Sequence, residues 1–187
     1  MDIRPVNYNE YVGTFQEEMI QEFTDGTLTD IEDVRKFLYG FATSPIYLDQ
    51  FMYMDETLPR WWEQNAKDEN RDLNVGYDSK GKNFIVETLQ EQLIIEAMLS
   101  TGDGFKPETA IYVIEVEQEY DFMARVYPDL LKHMKCQTLV SKESEHHEYD
   151  YFEFEFNIYG IKELWFECSR PLLRSSNQLK ARHQNEK

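Results

Sequence analysis

Apolar residues recur at intervals of three and four along the first forty residues, which is the pattern of amphipathic helices. The first stripe covers residues 8–23 and consists of Tyr8, Tyr11, Val12, Phe15, Met19 and Phe23. A turn at residues 25–27 ends it. Thr29 and Glu32 then form the signature of a capping box, and the second stripe runs to Gly40. The pattern therefore predicts two antiparallel helices joined by a short turn.

A further helix is predicted over residues 82–100, and a turn follows it. Gly102 is expected to take the left-handed conformation that ends a helix, and Pro107 to direct the chain into extended structure. Together with Asp103 and Gly104, these residues predict a structural turn between a helical half and a strand-rich half. One carboxylate between two glycines is fully explained by such a turn.

The second half of the chain predicts strands. β-branched and aromatic residues favour strands over residues 110–116 and 137–140, with a short helix over residues 118–126 between them. A hairpin follows over residues 152–168. The sequence thus predicts an α+β fold, in which a helical N-terminal half (residues 7–100) packs on a small, mostly antiparallel four-stranded sheet from the C-terminal half (residues 109–168).

The register of this hairpin can be predicted from its alternation. Four apolar residues alternate with polar ones on its first strand: Phe152, Phe154, Phe156 and Ile158. A two-residue loop would place Glu163 opposite Phe156, inside the aromatic face. A three-residue loop over residues 159–161 places Leu164 opposite Phe156 instead, and this register is predicted because it keeps a carboxylate out of the core.

Composition narrows the class of protein. A length of 187 residues suits one domain, predicted over residues 1–168, and the formal net charge is −17. Such a charge argues against nucleic acids and anionic membranes as partners and favours a basic protein. Neither a leader nor a membrane segment is recognisable, which predicts a soluble, cytoplasmic protein. Cys136 and Cys168 are predicted to be free thiols.

The last nineteen residues differ from the rest. Residues 169–187 contain five basic residues and one acidic residue. Exposed ion pairs with an acidic body are weak, and ordering a mobile chain costs more than they return. We therefore predict a largely flexible basic tail without fixed structure beyond about Asn177.

Candidate sites in the sequence are few. Residues 68–79 resemble a calcium loop but have Leu73 and Ser79 where glycine and a bidentate glutamate are needed. His146 and His147, near Glu148 and Asp150, would point to opposite faces of a strand, so the run predicts a solvated turn and not a metal site. No cofactor motif is present, and no catalytic residue can be assigned.

An aromatic cluster is the one candidate ligand surface. Trp61 and Trp62 are adjacent, and Tyr53 lies eight residues before them. Since neighbouring helical residues point about 100° apart, one tryptophan can be in the core while the other is exposed. Core packing and a ligand-binding surface both remain open for these three residues.

Several short motifs carry a family resemblance. The most specific is the segment from Thr101 to Ala110, TGDGFKPETA, followed by VIEV from Val113 and by Glu119 and Tyr120. Shorter matches lie at residues 28–29, 37–40, 137–140 and 164–166. The chain resembles a bacterial family known only as domain of unknown function 4919, over about residues 20–168. The resemblance supports these element boundaries and implies no activity and no catalytic residues.

Two hypotheses of function follow. The preferred one is a non-enzymatic binding or scaffold module, because no catalytic motif is present and the chain is strongly acidic. The alternative is a hydrolase with dispersed carboxylates, acting on a sugar. A deep pocket that holds two carboxylates of raised pKa would favour the enzyme. A shallow aromatic patch would favour the binding module.

Overall fold

The computed structural model describes residues 3–49, 74–77, 83–86, 89–142 and 147–185, and its fold is α+β as predicted. The chain divides into two compact units. One comprises Met1–Val6, Val75–Ile85 and Met98–Leu172, and the other comprises Asn7–Asn74, Val86–Ala97 and Leu173–Lys187. The single domain predicted over residues 1–168 stays a prediction.

The described residues form seven α-helices and six strands. The helices are α1 (Tyr8–Tyr11), α2 (Glu18–Thr24), α3 (Ile31–Thr43), α4 (Pro45–Asp49), α5 (Leu89–Leu99), α6 (Glu117–Val126) and α7 (Ser169–Asn185). The strands are β1 (Asn74–Tyr77), β2 (Asn83–Val86), β3 (Ile111–Tyr112), β4 (Met134–Lys142), β5 (His147–Phe154) and β6 (Glu163–Glu167). Short 3-10 helices lie at Pro107–Thr109 and Leu130–His133.

The first predicted helix is divided into α1 and α2. Gly13 has a φ of 74°, which a right-handed helix cannot accommodate, so the predicted continuity over residues 8–23 is wrong. The predicted pairing of the two apolar stripes is confirmed at the end of α2. There the ring of Phe23 stacks on Phe37 of α3, with 5.0 Å between the ring centroids. The apolar stripe therefore still contacts α3, although the predicted helix is interrupted at Gly13.

Helix α3 begins and ends later than predicted. Its N-cap is Asp30 and not Thr29, because the Asp30 carboxylate accepts hydrogen bonds from the backbone N–H groups of Glu32 (2.8 Å) and Asp33 (3.3 Å). Gly40 lies inside the helix and does not end it. A Cβ there would lie 2.8 Å from the backbone nitrogen of Phe15, so Gly40 permits close packing.

The observed cap gives a first testable prediction. Asp30→Ala removes both acceptor contacts at the start of α3 and is expected to lower the free energy of unfolding by about 1 kcal/mol. Thr29→Ala is the matched control and is expected to change it by less than about 0.5 kcal/mol. Urea unfolding followed by circular dichroism measures both variants. If Thr29→Ala lowered the free energy of unfolding more than Asp30→Ala, Thr29 would be the N-cap, as the sequence predicts.

The helix predicted over residues 82–100 is wrong in its first third. Residues 83–86 form β2, paired with β1, and α5 begins at Leu89. Leu93 and Met98 on α5 are buried, whereas Leu89 is exposed. The apolar residues of this segment fit the period of a helix and also that of a strand. The pairing of β2 with β1 therefore replaces the first turns of the predicted helix.

The C-terminal strands form the predicted four-stranded sheet. Its order is β3-β6-β5-β4, with β3 parallel to β6 and the other neighbours antiparallel. Strand β3 has only two residues, fewer than the predicted 110–116, whereas β4 is longer than the predicted 137–140. Helix α6 is confirmed within one residue.

The register of the β5–β6 hairpin differs from the predicted one. Leu164 lies opposite Phe152 and not Phe156, which is a shift of four residues along β5. A shift by an even number keeps the faces, so Phe152 and Phe154 are buried as predicted. Residues 155–162 form a longer turn, described below.

The C-terminal segment is helical. Helix α7 continues to Asn185, so the predicted absence of fixed structure beyond about Asn177 is wrong. Arg174 contributes to this order, because its guanidinium lies 5.1 Å from the centroid of the Tyr47 ring. Across the described ranges, no helix combines the length and apolar character that crossing a bilayer requires.

Candidate functional site

The aromatic surface predicted from the sequence lies outside the described residues. This applies to Trp61, Trp62 and Tyr53, and equally to the calcium-like loop over residues 68–79 except for its strand residues 74–77. Ligand binding by the three aromatic residues therefore stays a prediction. His146 also lies outside the described part of the chain.

The glycine-rich turn is described in full. The Asp103 carboxylate accepts hydrogen bonds from the Phe105 backbone N–H (3.0 Å) and the Thr109 hydroxyl (2.6 Å). Gly104, with a φ of 76°, takes the left-handed conformation predicted for Gly102. Pro107 starts a 3-10 turn and does not extend the chain as predicted. The Asp103 carboxylate is thus bonded within the turn itself.

A buried cluster of ionisable groups lies on one face of the four-stranded sheet. Its members are Glu119 on α6, Asp150 on β5 and Cys168 directly after β6. Glu119 has the helical spacing of Phe122, Met123 and Val126, all of which are buried. Asp150 shares its sheet face with Phe152, since alternate strand residues point the same way.

The three side chains converge. One oxygen of Glu119, one oxygen of Asp150 and the sulfur of Cys168 all lie within 4.8 Å of one another. Glu119 is 0% exposed, and neither of its oxygens has a hydrogen-bond donor among the described residues. Asp150 is held from outside the cluster, because the Gln137 amide donates a hydrogen bond of 3.1 Å to its Oδ2. The Tyr120 hydroxyl donates in turn to Gln137.

Burial controls the protonation of this cluster. Loss of hydration, followed by the charge of Asp150, raises the pKa of Glu119 to about 10. Burial also raises the pKa of the Cys168 thiol, and the neighbouring carboxylates add to this effect. At neutral pH the Glu119 carboxyl is therefore protonated. The thiol is protonated, so Cys168 is not a reactive thiolate.

The cluster bears on the hydrolase hypothesis. Two carboxylates meet, and one has a strongly raised pKa, as a general acid would need. Glu119 and Asp150 are only 0% and 8% exposed, however, and a substrate must reach both groups. The hydrolase therefore stays a hypothesis that this geometry does not favour.

The opposite sheet face carries another buried carboxylate, Glu167. Its Oε1 accepts a hydrogen bond from the Ser169 hydroxyl and lies 3.1 Å from Nδ1 of His147. Burial, with the charge of Glu167, raises the pKa of the nearby Tyr112. His147 and Asp150 differ by an odd number of residues on β5 and point to opposite faces, which separates two members of the histidine-rich run.

Residues 155–162 form a protruding turn, which we call the Asn157 turn. Phe156 and Ile158 are 94% and 87% exposed, although both were predicted to be buried. Asn157 between them is buried, and its amide donates to the carbonyls of Glu155 (2.9 Å) and Ile161 (2.7 Å). Its carbonyl oxygen accepts from two further backbone N–H groups of the turn.

This turn explains the corrected register. Four hydrogen bonds to one buried side chain fix eight residues in a loop, so strand pairing ends at Glu153 and Glu163. A signal was present in the sequence, because asparagine three residues before Gly160 is typical of turns. The alternation of aromatic residues concealed it. For Glu119 the signal is its helical spacing with buried apolar residues, although the acidic run around it is typical of a solvated segment.

Comparisons with known proteins give one match. A family model described as domain of unknown function 4919 matches residues 72–177, more than half of the chain. This confirms the resemblance, with a match that starts later than the shorter motifs indicated. A search of curated proteins and a search of solved structures each found no match. The geometry of the described residues is therefore the basis for any statement about function.

Proposed function

The chain belongs to the domain of unknown function 4919 family, and because that description assigns no activity, we propose from the geometry that the protein is a non-enzymatic binding module. Its contact surface is the Asn157 turn. The partner is a protein with an apolar pocket for Phe156 and Ile158 and a basic surface around that pocket. The cytoplasmic location predicted from the sequence is the setting that this proposal assumes.

The exposure of Phe156 and Ile158 is the observation that carries the proposal. Burying either side chain would stabilise an interface by about 1.5–3 kcal/mol. Scattered apolar residues are ordinary on protein surfaces, but two nearly fully exposed large ones at the tip of one turn form a patch. Tyr159, which is 38% exposed, adds an aromatic edge to it.

The rigidity of the turn supports the same function. Asn157 fixes the backbone on both sides of the two apolar residues, so the turn is already ordered before a partner binds. The Tyr159 hydroxyl also donates a hydrogen bond of 2.7 Å to the carbonyl of Pro128. Since ordering an interface loop costs binding free energy, a preformed turn binds more tightly than a mobile one.

Charge supports a basic protein as the partner. The net charge of −17 attracts a basic surface at long range and raises its association rate at low salt. The same charge repels anionic lipid headgroups, although an apolar turn could otherwise insert into a bilayer. A protein partner is therefore favoured over a membrane.

Paired double variants test this function. The Phe156→Ser, Ile158→Ser variant removes the apolar tip, while Val12→Ser, Leu139→Ser removes two exposed apolar residues elsewhere and serves as the control. Proteins that the wild-type chain captures from the source organism are purified, and their Kd values are measured by calorimetry. We expect a basic partner whose Kd rises at least about 100-fold with the tip variant and less than about threefold with the control.

Three results would contradict the proposal. The first is a partner whose Kd is equal for the tip variant and the wild type. The second is tip-dependent binding to lipid vesicles without tip-dependent binding to a protein. The third is self-association in sedimentation experiments that the tip variant abolishes, since a second acidic copy is not a basic partner. An association rate that falls with added salt is expected if charge attracts the partner.

A further inference from the structure

Glu119, Asp150 and Cys168 come from three separate elements, and their ligand atoms meet inside the fold. We propose that these three side chains bind a divalent transition-metal ion of the zinc class. The site is independent of the Asn157 turn, so the proposal does not rest on the proposed function.

The donor set identifies the class of ion. Zinc is bound by thiolate, imidazole and carboxylate groups, usually four in a tetrahedron. Calcium and magnesium prefer oxygen ligands alone, so the sulfur of Cys168 argues against them. Zinc ligand atoms lie about 3.3–3.7 Å apart at the usual bond lengths. Three atoms that all lie within 4.8 Å of one another need only small side-chain rotations to reach this spacing.

The carboxylate of Glu119 is an independent observation. It is fully buried, and none of the described residues donates a hydrogen bond to either oxygen, which is unusual for a buried polar group. Its position within the cluster points it at the other two ligand atoms. A bound cation would compensate the lost hydration of this group.

Neighbouring groups already orient the other two ligands. The Gln137 amide donates a hydrogen bond of 3.1 Å to Oδ2 of Asp150 and so orients this carboxylate. The backbone N–H of Cys168 donates a hydrogen bond of 2.9 Å to the carbonyl of Glu148, which fixes the main chain beneath the sulfur. Outer contacts of this kind hold metal ligands in place. Three ligands leave a fourth position for a water molecule.

Metal binding at this cluster is coupled to proton release, because thiolate and carboxylate are the forms that bind a metal ion. The protons that the Cys168 thiol and the Glu119 carboxyl carry are released to solvent when the ion enters.

Cobalt binding to the metal-free full chain tests the proposal. Co²⁺ reports a sulfur ligand through a thiolate-to-metal charge-transfer band in the near ultraviolet. We expect one Co²⁺ per chain with this band, displaced by one Zn²⁺. Cys168→Ser should abolish the band, whereas Cys136→Ser, which removes the chain's other cysteine, should keep it. Glu119→Gln should weaken Zn²⁺ binding by more than about 100-fold.

Glu119→Gln also tests the site in a variant that is expected to stay folded. The amide has the size of the protonated carboxyl and can donate to Asp150, so circular dichroism should show an intact protein. Loss of Zn²⁺ binding in that folded variant supports the site even where Cys168→Ser unfolds. The proposal is overturned if the wild type takes up no stoichiometric ion, or if Cys168→Ser keeps the charge-transfer band. Zn²⁺ affinity that is equal in wild type and Glu119→Gln overturns it as well.

Discussion

Gly102→Ala is expected to lower the free energy of unfolding by about 3 kcal/mol or more. A Cβ at this position would lie 2.1 Å from the carbonyl oxygen of Thr109 and 2.5 Å from that of Ala110. Both atoms belong to the backbone and cannot rotate away. The Gly104 N–H donates a hydrogen bond of 2.8 Å to the same Thr109 carbonyl, so relief of the clash would break the turn.

Gly160→Ala is the matched control for this substitution. Gly160 has a φ of 67°, but no atom lies within 4 Å of a Cβ built there. Only the conformational cost remains, about 1 kcal/mol. Urea unfolding followed by circular dichroism compares the two variants. Equal losses would show that the chain near Gly102 relaxes freely and that its close backbone contact is unimportant.

The position of this turn could be predicted from the sequence, but its mechanics could not. Glycine and proline mark a turn between a helical region and a strand-rich region of the sequence. The structure has a turn at that boundary. Which glycine takes a positive φ depends on the backbone opposite each of them. Gly104 is the left-handed one, whereas Gly102 is required by the nearby carbonyl groups. A close contact between distant parts of the backbone leaves no local pattern in the sequence.

The aromatic strand illustrates a different limit. Alternation identifies the buried face of β5 correctly, because a side chain's face depends only on whether its position is odd or even. It does not fix where pairing ends. The four hydrogen bonds of Asn157 stop the ladder at Glu153, and Phe156 and Ile158 continue the pattern in solvent. The proposed contact surface therefore lies where the alternating pattern predicts a buried strand but the hydrogen bonds of Asn157 form a turn.

The buried carboxylates show why candidate chemistry was missed. The acidic run over residues 115–121 looks uniformly solvated, yet helix α6 turns one member into the core. Glu119 precedes Phe122, Met123 and Val126 at the spacing of one helical face, and this signal was available. Its meeting with Asp150 and Cys168 joins residues 31 and 49 positions away, which only the fold can bring about.

Glu119→Gln is expected to stabilise the metal-free protein by about 3 kcal/mol at pH 7. The folded state holds the Glu119 proton up to a pKa of about 10, whereas the unfolded chain loses it near 4.5. Below pH 4.5 both states are protonated, and the burial of Glu119 has no ionisation cost. Above it, the contribution of Glu119 to wild-type stability falls by about 1.4 kcal/mol per pH unit until the folded carboxyl ionises near pH 10.

The difference between the two proteins isolates this one group, because all other titrations are common to both. Unfolding by urea in the presence of a chelator, at pH 5, 6, 7 and 8, should give a wild-type deficit that grows by about 1.4 kcal/mol at each step. Glu117→Gln is the matched control, since this residue lies two positions away in the first turn of α6, outside the buried cluster. The charge of Glu117 is the smallest of the causes that raise the pKa of Glu119, so the fall in stability from pH 5 to pH 8 should persist in this variant. A deficit that stays constant from pH 5 to pH 8 would mean that Glu119 ionises in the folded protein, contrary to the burial that defines the cluster.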